Sequence, residues 1–180
     1  MKRFLRDYSY LTLLAGGIIF LDQLTKNWIR TNLAMGEVWM PWEWLLPYAR
    51  VVHWHNTGVA FGMFQGGNQI FSVLSLLVSV VIIFYFHRVP VDDWSLRLAM
   101  GLQLGGAVGN LVDRLRIGHV TDFISVGTFP VFNVADSSVS VGVGVLLLGV
   151  WLQERKAKMD RKSGSIPPID PTSDSEMVAP

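Results

Sequence analysis

The 180-residue sequence contains no cysteine, which removes a disulfide scaffold, a thiolate zinc site and a cysteine nucleophile at once. Charge is scarce as well: 16% of residues are Asp, Glu, Lys or Arg, against roughly 25% in soluble domains. His53, His55 and His119 have no HExxH motif behind them, so the H-x-H spacing is a weak metal signal. No nucleophile elbow surrounds Ser125, and the nearness of His119 and Asp122 in sequence does not make a triad. The glycine-rich stretch "MGLQLGGAVGN" lacks both a Walker lysine and a preceding soluble strand, which argues against a phosphate-cradling loop. A Ser/Lys dyad would need Lys26, which already has Asp22 one helical turn away.

What the sequence does have is apolar residue, 51% of the chain, with a mean hydropathy of +0.37. These residues are gathered into blocks rather than amphipathic stripes, the pattern of a polytopic membrane protein. Four blocks, at about 9–29, 68–86, 95–112 and 136–153, reach or approach the roughly 20 residues that cross a bilayer at 1.5 Å each. The first follows Lys2, Arg3 and Arg6 like a secretory leader but runs on through Phe20 and Leu21 without a small-residue cleavage site, so it reads as a retained helix.

With these spans the 15 Lys and Arg residues divide unequally. Lys2, Arg3, Arg6, Arg88, Arg97, Arg155, Lys156, Lys158, Arg161 and Lys162 fall on one side, and Lys26, Arg30, Arg50, Arg114 and Arg116 on the other. The positive-inside rule then puts both termini in the cytoplasm and segments 30–67 and 113–135 outside. The polar tail 160–180 lacks apolar periodicity and is expected to be disordered.

Segment 30–67 is too aromatic for an ordinary solvated loop. Trp39, Trp42, Trp44, Tyr48 and Trp54 point to a surface at headgroup level. The alternation in "YARVVHWHN" and the β-rich run "TFPVFNV" read as short strands. Gly101, Gly105 and Gly109, spaced every four residues, read as a close helix-packing face.

Against this background the intramembrane charges stand out, since each costs about 2.5–3.5 kcal/mol at a helix centre on insertion scales. Asp22, Asp113, Asp122 and Asp136 all fall toward the outward end of the topology, with Gln23, Lys26, Asn56, Asn110, Arg114 and Asn133 at the same level. Quieter readings exist for each: Asp22 and Lys26 as an i,i+4 ion pair, Asp113 with Arg114 as a helix-end pair, Asn56 and Asn110 as partners for exposed backbone, and Asp136 as an N-cap. The reading that uses the cluster as a whole is a carboxylate pair sharing a proton, one member base and the other acid. Asp122 and Asp136 fit it best, because they bracket a short connection able to fold back on itself. A proton-relay or transport subunit is the alternative, but it predicts acidic residues through the membrane depth, and 68–86 and 136–153 have none at their centres. An assembly subunit would account for the glycines and not for the Asp and Asn residues.

Five motifs in order, "LDQLTK" (Leu21 to Lys26), "HNTGVAFG" (His55 to Gly62), "GGAVGNLVDR" (Gly105 to Arg114), "HVTDFI" (His119 to Ile124) and "FNVADS" (Phe132 to Ser137), resemble the sequence boxes of lipoprotein signal peptidases, or signal peptidase II, over residues 10–155. The 14-residue separation of Asp122 and Asp136 is on the short side for the family's connecting loop. The resemblance implies an integral membrane α-helical protein with four transmembrane helices and a small outward-facing β-rich cradle, in the bacterial cytoplasmic (inner) membrane. It implies an aspartyl endopeptidase that cuts diacylglyceryl-modified prolipoproteins on the N-terminal side of the lipidated Cys. Asp122 and Asp136 then match the catalytic dyad, and Asn56, Asn110, Arg114 and Asn133 the residues lining the site, with Asp22 and Lys26 supporting it. No cofactor, metal or nucleic acid is implied. The partners are the substrate and membrane lipids, with a monomer expected.

Overall fold

The computed structural model describes residues 2–58 and 67–162. Residues 59–62, the end of "HNTGVAFG", and 163–180, most of the tail expected to be disordered, lie outside the described residues.

Among the described residues there are four α-helices, α1 (Lys2–Asn32), α2 (Asn68–Phe86), α3 (Trp94–Ile117) and α4 (Val134–Lys162), a short 3-10 helix at Glu43–Leu45, and three strands, β1 (Val38–Trp39), β2 (Ala49–Asn56) and β3 (Val120–Val126). The helices coincide with the four apolar blocks, and three of them run past the expected ends because polar residues extend them. The carboxylate of Asp93 accepts the N–H of Leu96 at 3.1 Å and opens α3. Gly118, at φ +79°, closes it by returning its N–H to the Arg114 carbonyl. α4 continues through Arg155 and Lys156 to Lys162, into the first residues of the segment expected to be unstructured.

Two helical stretches are long and apolar enough to cross a membrane, Asn68–Phe86 and Val134–Asp160. On α2 the large side chains of Ile70, Val73, Leu74, Leu77, Val81 and Phe84 are all exposed. Such a contiguous apolar surface is costly in water and natural in lipid. α1 and α3 carry more charge, and five of their charged side chains are turned inward: Asp7, Asp22, Lys26, Arg97 and Asp113 are all buried.

Glycine brings α1 and α3 together. A Cβ on Gly105 would sit 2.7 Å from Ile18 Cβ and 3.2 Å from the Ala15 carbonyl, and one on Gly101 would collide with Leu14. The small-residue face read from the sequence is therefore an α1–α3 contact. The neighbouring Gly106 faces the start of α4, where a Cβ would run into the Ala135 carbonyl and Ser138 Oγ. At one end of α1, Arg97 Nη2 reaches Asp7 Oδ1 at 2.9 Å while its guanidinium lies 4.6 Å above the Phe86 ring, joining α1, α2 and α3 in one buried ion pair.

The strands form one antiparallel sheet in the order β1-β2-β3. "YARVVHWHN" supplies β2, but "TFPVFNV" does not supply a strand: apart from a single bridge between Phe132 and Ile124 it is irregular, as Pro130 has no N–H to give a ladder. β3 is formed instead by the residues before it, 120–126, and the chain reverses after Gly127 at φ +52°. Phe132 N–H and C=O then bond back to Ile124. This reversal carries Asn133 and Asp136 back beside Asp122, the fold-back that a carboxylate pair requires.

Because Gly106 has backbone against it and not a flexible side-chain end, Gly106→Val is expected to cost about 1–3 kcal/mol or more by overpacking, read as a lower thermal midpoint in detergent. Gly144, with open space around it, should tolerate the same change far better.

Candidate active site

Three carboxylates and an ammonium are buried almost completely: Asp22, Asp113, Asp122 and Lys26. The organising group is Lys26. Its Nζ lies 2.9 Å from Asp22 Oδ2, 3.1 Å from Asp113 Oδ2 and 2.8 Å from Asn110 Oδ1. An ammonium has three protons and no acceptor, so these contacts match all its donors.

The i,i+4 pair of Asp22 with Lys26 is thus formed, as part of something larger. Asp113 does not pair with Arg114, since adjacent residues on a helix point in different directions. It turns inward, accepting from Arg30 Nη1 and Gln23 Nε2 at 3.2 Å and from the Thr121 N–H at 3.1 Å. Asp113 thereby ties α1 and α3 to β3 one residue before Asp122. Asp22 Oδ1 accepts the Ala135 N–H at 3.0 Å, fastening α1 to the first turn of α4.

The cap of α4 differs from the quieter reading of Asp136 as an N-cap. α4 begins at Val134, so the N-cap is Asn133, and Asp136 stands at the third helical position. Asn133 Oδ1 accepts the Asp136 N–H at 2.9 Å, and Asp136 Oδ2 accepts the Asn133 N–H at 3.2 Å. This is a reciprocal capping box with Asn and Asp in place of the usual Ser/Thr and Glu. The same Asn133 amide sends its Nδ2 to Asp122 Oδ1 at 2.7 Å. One side chain therefore bridges the two aspartates.

Donor-only groups fix the direction of the amides. Asn110 Oδ1 is held by Lys26, leaving its Nδ2 to donate to Asp136 Oδ1 at 2.7 Å. Asn133 Oδ1 is held by a backbone N–H, which leaves its Nδ2 for Asp122. Asn56 Oδ1 accepts the Gly58 N–H, leaving its Nδ2 to donate to Asp122 Oδ2 at 2.9 Å. All three amides thus offer N–H groups to the two carboxyls, an environment that favours negative charge. Burial works the other way. Burial first, and the neighbouring Asp136 charge second, push the Asp122 carboxyl up to about 7, against the donors from Asn56 and Asn133.

Asp136 opens onto a cavity of about 560 Å³. Asn56, Asn110 and Arg114 supply its polar wall; Phe129, Pro130, Phe132 and Val139 supply apolar wall. Arg114 is the one residue singled out from the sequence that stays outside the hydrogen-bond network: its Nε is buried without a partner among the described residues, and its guanidinium sits 5.7 Å from the Phe71 ring. The network also recruits Gln23, Arg30, Asp113 and Thr121. The spacing of Asp22, Lys26 and Arg30, four residues apart on one helix face, was the signal for Arg30; nothing local marks Thr121. No group of His, Asp and Glu among the described residues is arranged to hold a metal ion.

Helices with outward apolar surfaces, and a cavity beside a buried network of carboxylates and amides, define a helical membrane protein with a polar site. Comparison with known proteins narrows that class. The family model for signal peptidase (SPase) II matches residues 14–152. A lipoprotein signal peptidase of Shouchella clausii is 41% identical over 143 residues, covering 78% of this chain and 92% of the relative. One from Dehalococcoides mccartyi is 45% identical over 138 residues, covering 72% and 82%. A solved bacterial membrane enzyme superposes with a TM-score of 0.73 at 26% identity, covering 80% of this chain and 88% of the other. The chain belongs to the signal peptidase II family, which are proteases.

Replacing Lys26 by Met strands Asp22 and Asp113 in the interior without their shared cation, and is expected to cost about 3–5 kcal/mol. Thermal unfolding in detergent measures it, and an unchanged midpoint would contradict the central place given to Lys26.

Proposed function

We propose that this chain is an intramembrane aspartyl endopeptidase that removes signal peptides from diacylglyceryl-modified prolipoproteins, cutting on the N-terminal side of the lipidated Cys, with Asp122 and Asp136 as the catalytic pair. The observation that carries the reading is the bridge made by Asn133, which donates from Nδ2 to the Asp122 carboxylate and from its backbone N–H to the Asp136 carboxylate, while its Oδ1 accepts the Asp136 N–H. Such an arrangement holds two acids at one place with one proton between them.

In this reading Asp136, with donors from Asn110 and Asn133 at the positive end of α4, takes a proton from a water in the cavity. The hydroxide forms a bond to the scissile carbonyl carbon while Asp122 gives its proton to the carbonyl oxygen. The tetrahedral diol then collapses: the C–N bond breaks, a proton passes from Asp136 to the departing amine of the Cys, and Asp122 recovers its own from the diol. Asn56, Asn110 and Arg114 are positioned to hold substrate polar groups, Asp22 and Lys26 keep α1 and α3 against the pair, and the apolar wall suits a signal peptide and acyl chains. α1 to α4 are read as four spans, with both termini cytoplasmic from the ten-to-five division of Lys and Arg, which places the site toward the outer face of the inner membrane.

Asp122→Asn and Asp136→Asn should each reduce cleavage of a lipid-modified prolipoprotein by at least about 100-fold, with the thermal midpoint and membrane insertion retained. Normal cleavage by either variant would reject the dyad. The proton on Asp122 supplies a second check. Because its folded-state value is raised to about 7, Asp122 binds more protons folded than unfolded. Its contribution to stability is complete in acid and is lost as pH rises toward and through 7. The acid it provides to catalysis disappears over the same limb. The pH–rate profile should therefore fall above about pH 7, and a rate that stays level well above neutrality would contradict Asp122 as the acid.

A further inference from the structure

Three histidines left aside as metal ligands come together at the end of the sheet. The His53 and His55 rings are 5.1 Å apart and edge-on, and the His55 and His119 rings lie over each other at 3.7 Å, tilted by 32°. His53 donates from Nδ1 to the Leu33 carbonyl at 2.9 Å, and His53 Nε2 and His119 Nε2 are both buried without a hydrogen-bond partner among the described residues. Arg30 faces both rings from α1, His53 lies beside them on β2, and Asp113 faces His119 from α3 while held by Lys26 and Arg30.

The place of this stack gives it a consequence. His55 directly precedes Asn56, which donates to Asp122, and His119 directly precedes β3, which carries Asp122. In the sheet His55 pairs with Thr121 and Asn56 with Val120. The stacked imidazoles thus close the last register step between the strand that holds the amide and the strand that holds the carboxyl.

We propose that the neutral His55–His119 stack is a positioning element that holds Asn56 on Asp122, and that its protonation releases that hold, giving the site an acid-sensitive latch. The inference rests on Asp122 being catalytic, as proposed above. A proton on either ring places a cation against the other imidazole and near the Arg30 guanidinium, and on His119 Nε2 it creates a buried N–H with no acceptor. Burial first, then the neighbouring histidine and Arg30 charges, lower the His55 value below 6.5; burial also lowers that of His119, against the pull of Asp113. With folded-state values below the unfolded one, the unfolded chain binds more protons, so the stack's contribution is complete above pH 6.5 and is lost as pH falls below it.

The test compares the full-length protein with His119→Phe, and with His55→Phe as a second variant, each of which keeps an aromatic stack that cannot titrate. Hydrogen exchange of 49–56 and 120–126, corrected for the intrinsic pH dependence of exchange, is followed from pH 7.5 to pH 5, beside cleavage of a diacylglyceryl-modified prolipoprotein. The expected result is that the unaltered protein loses protection in these strands on acidification while the Phe variants keep it, lose less activity than the unaltered protein, and stay within about twofold of it at pH 7.5. Superimposable exchange profiles for wild type and variants, or no loss of protection in wild type, would overturn the latch. The exchange readout holds whatever Asp122 does, so normal cleavage by Asp122→Asn would strike the catalytic reading and leave the latch to be judged on exchange alone.

Discussion

The arrangement of this protein depends on one fully buried ammonium. Lys26 has three protons to place, and it places them on Asp22, Asp113 and Asn110. Removing a cation from water costs several kcal/mol unless every donor is matched, and an imperfect set would make the site a liability. Two carboxylates for one ammonium leave negative charge over, and this surplus is met by Arg30 and the Thr121 N–H on Asp113 and by the Ala135 N–H on Asp22. The glycine face lets it happen: Gly109 brings α3 so near α1 that a Cβ there would lie 2.8 Å from the Asp22 carboxylate.

From that ammonium the constraint passes outward through amides. Lys26 fixes the acceptor end of Asn110, which must then donate to Asp136. The first turn of α4 fixes Asn133, which must then donate to Asp122. Helix capping and the carboxylate pair are consequently not separate features. The bond that starts α4 is made by the side chain that bridges the two acids, so loosening one loosens the other.

Much of this was legible in the sequence, for identifiable reasons. The helix positions follow from apolar blocks too long and too uncharged for water, and the α1–α3 contact from glycines repeating every four residues. The resemblance carried by five ordered motifs agrees with membership of the signal peptidase II family. The gathering of Asp122, Asp136 and three Asn residues was legible as a level in the chain, but the partners within it were not. Sequence adjacency suggests Arg114 as the partner of Asp113 because it hides the roughly 100° turn between successive helical residues. Asp is a common cap, which is why a cap is the quieter reading of Asp136, and only the backbone shows that Asn133 holds that position. "TFPVFNV" looked like a strand by composition, yet Pro130 and the reversal after Gly127 leave it a single bridge.

Physical constraint and family likeness meet in the proposal that a buried carboxylate pair held by three amides hydrolyses the peptide bond before a lipidated Cys. The most direct measurement incubates the purified protein with a diacylglyceryl-modified prolipoprotein and with its unmodified precursor, and determines the product masses. The account predicts a single cut in the modified substrate, leaving the lipidated Cys as the new N-terminus, and no cut in the precursor. Equal cleavage of both, or a cut elsewhere, would contradict it.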